Sequence, residues 1–210
     1  MKQAEAPMRV FKRVGGDICL DFVNTVDWHA SDAPQELLAD YEHLVDWSRQ
    51  AGTVDEVGAG RLLRQAAAHP AIAEKTYHRA IAIRETLYRI MVATIEGQIP
   101  EPSDLQEFNT SLTDAIRRLR IMPAEGRLAW EWAGEGAELE SVLWPILRSA
   151  ADLLTSERRN RLGQCADDRG CGWLFIDKSK NQSRRWCDMS DCGNRAKARS
   201  HYQRKRRRRA

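Results

Sequence analysis

The sequence predicts a mainly α-helical protein with a small antiparallel β-sheet, followed by a C-terminal module built on cysteines. Three observations carry this reading. Apolar residues recur at spacings of three and four through most of the first 155 residues. One short stretch alternates with a period of two. Four of the five cysteines fall between Cys165 and Cys192.

The 210 residues, 42% hydrophobic and 30% charged, have the composition of a soluble globular chain. Apolar runs such as Ile90–Ile95 are far shorter than the roughly 18 residues of a membrane span. Met1–Lys12 has no apolar signal segment. The expectation is a cytoplasmic protein without a membrane partner. The net charge of +3 conceals a division: seventeen bases face six acids from Glu157 to Ala210, a balance of +11, whereas residues 1–156 carry −8. An acidic body with a basic tail reads as two modules, residues 1–155 and 156–210, one of them directed at a polyanion.

In chain order, Arg9–Arg13 reads as a strand, Gly15-Gly16 as a turn, and Ile18–Val23 as an apolar run passing into a helix near Asn24. Ser31 or Asp32, with Pro34 close by, is expected to start a helix striped by Leu37, Leu38, Tyr41, Leu44, Val45 and Trp47 and closed by Gly52. A short helix follows over Asp55–His69. A long one runs from Ala71 to Gly97 on Ile72, Thr76, Ala80, Ile83, Leu87, Ile90/Met91 and Thr94. Pro100 and Pro102 break the chain. Ser103 or Asp104 then caps a helix carrying Leu105, Phe108, Leu112, Ala115, Ile116 and Leu119. Arg120–Met122 and Arg127–Trp132 read as a hairpin whose second arm sets Leu128, Trp130 and Trp132 against Arg127, Ala129 and Glu131, the pattern of a half-buried strand. A last helix of the body enters near Pro145 and ends in the basic run Arg158–Arg161.

The cysteines are spaced Cys165-x5-Cys171-x15-Cys187-x4-Cys192. Gly172–Asp177 reads as a strand, Lys178–Ser183 as a polar turn and Arg184–Trp186 as the returning strand, which brings the inner cysteines together. Gly193 and Asn194 open a terminal helix with Cys192 at its N-terminus. In a reducing compartment such a quartet reads as metal ligands before disulfides, and the flanks match neither common ferredoxin spacing. The expectation is one structural Zn2+ held by Cys165, Cys171, Cys187 and Cys192, with four thiolates and no open position. A module so poor in apolar residues cannot fold on burial alone, and zinc supplies on the order of 10 kcal/mol.

These residues carry a resemblance. Trp173-Leu174-Phe175-Ile176-Asp177, Arg184-Arg185-Trp186-Cys187 and Cys192-Gly193-Asn194-Arg195 resemble the CGNR zinc finger. Gly15-Gly16, the run Leu20-Asp21-Phe22-Val23-Asn24-Thr25, then Leu37-Leu38, Trp47 and Ala51-Gly52 resemble the ABATE domain that accompanies it. The resemblance implies a mostly helical N-terminal domain, a treble-clef-like finger and a stress-induced transcription regulator.

After Cys192 come nine bases and no acid: Arg195, Lys197, Arg199, Arg204, Lys205, Arg206, Arg207, Arg208 and Arg209. On a helix Arg195, Arg199 and Arg206 share one side, and Ala198 with Tyr202 form an apolar pair suited to packing on the finger. Arg184, Arg185 and Asn194 extend the candidate nucleic-acid surface. The expected function is zinc-dependent DNA binding in transcription regulation, with the N-terminal domain a candidate stress or small-molecule sensor. The alternatives are an RNA-binding or a protein-interaction finger, including one whose tail is masked by the acidic body. A homodimer is attractive because one short helix reads few base pairs. No catalytic role is expected: Asp21, Asn24, His29, His43 and Cys19 form no known signature. Trp28, Trp47, Trp130, Trp132 and Trp144 read as core before pocket.

Overall fold

The structure, a computed structural model, describes residues 10–134 and 138–207. Its centre is set by the run Ile18–Val23, which forms a short helix, α1, rather than a strand. Cys19, Leu20, Phe22 and Val23 are all fully buried, and such a run is stable only when surrounded on every side. The helices that surround it are α2 (Tyr41–Ala51), α4 (Pro70–Ile95) and α6 (Trp144–Thr155), with α3 (Glu56–Ala68) and α5 (Pro102–Ile116) packed outside them. Residues 10–17 form no regular strand, and Arg9 lies outside the described residues.

The helix starts follow local chemistry. α2 begins at Tyr41, later than the sequence predicts, because Asp40 and not Ser31 or Asp32 is its cap, accepting the N–H of His43 at 2.9 Å. The segment before it forms a minimal antiparallel ladder, in which β1 (Val26–Asp27), with Val26 buried, pairs with the exposed β2 (Gln35–Glu36). Gly52, at φ 75°, ends α2 in the left-handed conformation. Pro70 and Pro102 sit in the first turns of α4 and α5, where a missing N–H costs nothing. Asp104, expected as a cap, is instead buried and accepts from Arg89 of α4 at 2.6 Å.

The hairpin forms as β3 (Leu119–Ala124) and β4 (Arg127–Trp132), joined by Glu125-Gly126, both at positive φ. It is less buried than its alternation predicts: Leu128 is 71% and Trp130 55% exposed. Its inner half meets α6, where the rings of Trp132 and Trp144 lie 5.7 Å apart and the Arg148 guanidinium carbon lies 4.9 Å from the centre of the Trp130 ring.

A third ladder belongs to the cysteine module. Leu174–Ile176 (β6) pairs antiparallel with Leu162–Gln164 (β5), not with Arg184–Trp186 as the sequence predicts. Gly163 lies under the Phe175 ring, where a Cβ would stand 2.7 Å from a ring carbon. Segment 184–186 is held instead by isolated bonds, with Asp177 accepting the Arg184 N–H at 2.9 Å and the Arg185 carbonyl accepting the Ala166 N–H at 2.8 Å. Among the described residues the β-structure is therefore three separate two-stranded ladders on a helical body. A terminal helix, α7 (Asn194–Arg207), closes the described chain. Among the described residues no helix is long and apolar enough to cross a membrane.

Body and module share a core. Leu174 and Ile176 pack with α1 and α6 in one apolar cluster. Asn24, 2% exposed, offers its side chain to β6 as a substitute strand: its amide donates to the Leu174 carbonyl at 2.9 Å and its Oδ1 accepts the Leu174 N–H at 2.8 Å. The Trp173 indole donates to the Val26 carbonyl at 2.7 Å. Gly172, at φ 71°, lies so close to the body that a Cβ would stand 2.6 Å from the Ala30 nitrogen.

Asn24→Ala leaves both Leu174 groups buried and unpaired, so it is expected to cost about 3 kcal/mol and to lower Tm by roughly 6–12 °C. Thermal unfolding of the two proteins checks this. Burial also pushes the Asp21 carboxyl up to about 6, despite the Gly15 N–H that it accepts. The folded chain then holds a proton that the unfolded chain has released, so stability falls as pH rises from about 4 to 6. Urea titrations of wild type and Asp21→Asn across that range should show the slope in the first and a flatter profile in the second.

Candidate metal centre

Each half of the site grows from a short turn. After β5, Cys165 donates its N–H to the Trp173 carbonyl at 2.8 Å, and Gly170 donates to the Asp167 carbonyl at 3.0 Å. This folds residues 165–171 into a knuckle with both sulfurs on its inner side. In the second half, Asp188 accepts the Ser190 N–H at 2.8 Å and caps a wide turn over Met189–Gly193. That turn delivers Cys192 immediately before α7, where helix N-terminal amides favour a thiolate.

The four sulfurs lie within 4.8 Å of one another and all four cysteines are buried. None is in a disulfide. The Sγ atoms of Cys171 and Cys187 are 3.7 Å apart, and those of Cys187 and Cys192 are 3.6 Å apart. A tetrahedron with metal–sulfur bonds of about 2.3 Å has edges of about 3.8 Å. The donor set and its dimensions therefore fit one structural zinc ion, with no position left for a substrate. Four thiolates cannot coexist this closely without a cation. Hydrogen bonds from Cys171 and Cys187 drive the Cys165 thiol far down, and the same bonds push those two donors up. Metal loading must displace their protons, so affinity weakens as pH falls.

A shell of charges surrounds the sulfurs. Arg195 donates to the Cys192 sulfur at 2.8 Å and pairs with Asp191 and Asp167. Asp167, its side chain without solvent exposure, also accepts from Arg199 at 3.0 Å. Burial alone would raise the Asp167 carboxyl, but the Arg169 N–H and the Arg199 and Arg195 guanidinium groups outweigh it and hold it at about 2. Trp28, at φ 57°, stacks between Arg169 and Arg195, whose guanidinium carbons lie 4.7 and 5.0 Å from its ring. From the N-terminal segment, Lys12 reaches Asp191 at 3.0 Å.

This shell places the basic residues that the sequence singles out. Arg184 is half-buried and donates to the carbonyls of Ile176, Val14, Trp186 and Cys187 while stacking 4.2 Å from the Phe175 ring, so it clamps the module together. Arg195 and Arg199 do share a side of α7, and that side faces the module's own aspartates. Ala198 and Tyr202, expected to pack inward, are exposed. Arg185, Asn194, Lys197, Arg204, Lys205 and Arg206 are also exposed. Arg207 ends α7, and Arg208 and Arg209 lie outside the described residues.

The polar residues weighed for catalysis have structural partners. Besides Asp21 and Asn24, His29 contacts Glu85 at 2.8 Å and His43 contacts Asp40 at 2.7 Å. Burial raises the Cys19 thiol well above its ordinary range. The tryptophans are dispersed: Trp47 in the core, Trp28 on the metal module, Trp130 on the hairpin. Sequence reasoning missed Asp167 as the anchor of α7. The signal was an Asp-Asp pair inside the first cysteine knuckle of a basic segment.

Two family models match the chain. The ABATE model, described as "Putative stress-induced transcription regulator", matches residues 16–157, and the CGNR zinc-finger model matches residues 161–205. No curated protein matches the sequence.

Elemental analysis of the native protein should give one zinc per chain, and Cys192→Ser should lose it. Asp167→Asn keeps the sulfurs but strips α7 of its anchor, with an expected cost of about 2 kcal/mol, or roughly 4–8 °C in Tm at full zinc occupancy. A combined metal and thermal-unfolding assay separates the two effects.

Proposed function

The chain belongs to the ABATE family and carries a CGNR zinc finger, and from that premise we propose that it is a zinc-dependent, DNA-binding transcription regulator. The observation that carries the reading is the division between the two sides of α7. One side spends Arg195 and Arg199 on Asp167, fixing the helix to the metal module. The other presents Lys197, Arg204 and Lys205 to solvent, with Arg206 beyond the aspartates and Arg185 on the neighbouring loop. After Asp191 the sequence holds no acid to neutralise them. A helix held by one side with unspent bases on the other is suited to neutralising the phosphates of a nucleic acid.

Arg184, Arg195 and Arg199 enter this reading as residues that hold the surface in place, and Lys197, Arg204, Lys205 and Arg206 as residues that meet the nucleic acid. The N-terminal body is proposed to sense an effector. It offers an open groove of about 540 Å³ between α2, α3 and α4, lined by Asp40, Glu74, Pro70 and Tyr77 among others. Tyr77 donates to the Leu38 carbonyl at 2.7 Å, and Leu38 donates its N–H to Glu36, the partner of the buried Arg84. Arg84 in turn pairs with Glu85, which holds His29 beside the Cys171 carbonyl. A continuous polar chain thus runs from groove to knuckle.

With about five exposed bases neutralising phosphates, log K should fall with log salt at a slope near −4.5. Lys197→Ala combined with Arg204→Ala should reduce the magnitude of that slope by about 1.8. Salt-titrated anisotropy with duplex DNA checks both, and the same titration with structured RNA decides between the two polyanions. Absence of DNA affinity in the zinc-loaded protein contradicts the proposal.

A further inference from the structure

The β3–β4 ribbon is a sheet of two strands, and among the described residues neither outer edge is paired. A ribbon of two strands is marginal in water on its own, and here the body meets it through Trp132 against Trp144 and Trp130 against Arg148, while Leu128 stays 71% exposed. The two edges differ. Ala133 donates to the Arg118 carbonyl, and the register Leu119↔Trp132 through Ala124↔Arg127 then fixes which groups point where. Bonding groups of Arg127, Ala129 and Glu131 face β3, and those of Leu128, Trp130 and Trp132 face the open edge. On β3 the outward set includes Pro123, which has no N–H to offer, so that edge is blunted. The β4 edge has no such block.

The β4 sequence is self-complementary when read antiparallel. Arg127, Leu128, Ala129, Trp130 and Glu131 run base, apolar, small, apolar, acid. Two copies centred on Ala129 place Leu128 opposite Trp130 and Arg127 opposite Glu131, each pair occurring twice by two-fold symmetry. The residues so paired at the edge, Leu128 and Trp130, are those whose N–H and C=O groups point outward. They also expose 71% and 55% of their surface. Charge, apolar surface and hydrogen-bond parity agree on a single register.

We infer that β4 is an isologous dimerisation edge, where two copies of this chain join their ribbons into a four-stranded antiparallel sheet. The pairing is a property of the ribbon and does not rest on nucleic-acid binding. Sedimentation velocity over a concentration series tests it. Wild type should dimerise, and Arg127→Glu and Glu131→Arg should each weaken self-association about tenfold, because like charges then meet twice. An equimolar mixture of the two variants should recover dimerisation, since each variant's charges complement the other's. Thermal unfolding of the separate variants confirms that both remain folded. A wild type that is monomeric throughout, a dimer indifferent to either reversal, or a mixture that fails to recover overturns the inference. So does recovery only with a different protein.

Discussion

Four thiols are confined to a volume less than 5 Å across, inside a segment with little apolar surface of its own. That confinement is tolerable only around a cation, and most of the C-terminal architecture follows from it. The knuckle that carries Cys165 and Cys171 also carries Asp167, so the turn that builds half of the metal site also anchors α7. The turn that delivers Cys192 sets the first residue of that helix. Metal, anchor and helix are one mechanical unit, in which Arg195 touches both a zinc-site sulfur and the buried carboxylate.

The same unit is stitched into the body. Gly170 and Gly172 accept no side chain because Ala30 lies against them, and His29 and Ala30 donate their N–H groups to the Cys171 and Gly170 carbonyls. β6 lends Leu174 and Ile176 to the body's core while Asn24 completes its hydrogen bonding. The run Leu20-Asp21-Phe22-Val23-Asn24-Thr25 thereby acquires a physical meaning. Leu20, Phe22 and Val23 fill the core, Asp21 fixes Gly15, and Thr25 accepts from the buried Arg84. Asn24 is the joint. A displacement of the N-terminal body near this joint therefore has a direct route to the metal module.

Much of this was legible in the sequence. The helical stripes mark α2 to α6 because each helix is buried on one face, and the cysteine spacing marks the metal site because its chemistry is local. The partner of β6 was not legible: the burial of Leu174 and Ile176 by distant helices settles the pairing, and neither candidate strand alternates. The role of Asn24 was not legible either, because its partner is 150 residues away. The side of α7 was misread for a related reason. Arg195 and Arg199 look like free cations until Asp167, 28 and 32 positions earlier, is brought beneath them. The hairpin was read as half-buried from its alternation, but alternation reports that one face is apolar and not what covers it.

The most direct test of the central claim is amide hydrogen exchange of the full chain with zinc bound and after chelation. Loss of the metal should abolish protection of α7, β6 and the loop at residues 24–30 together, while α4 stays protected. Unchanged protection of β6 and residues 24–30 in the chelated protein would contradict the account, because the module would then hold its place on the body without the ion.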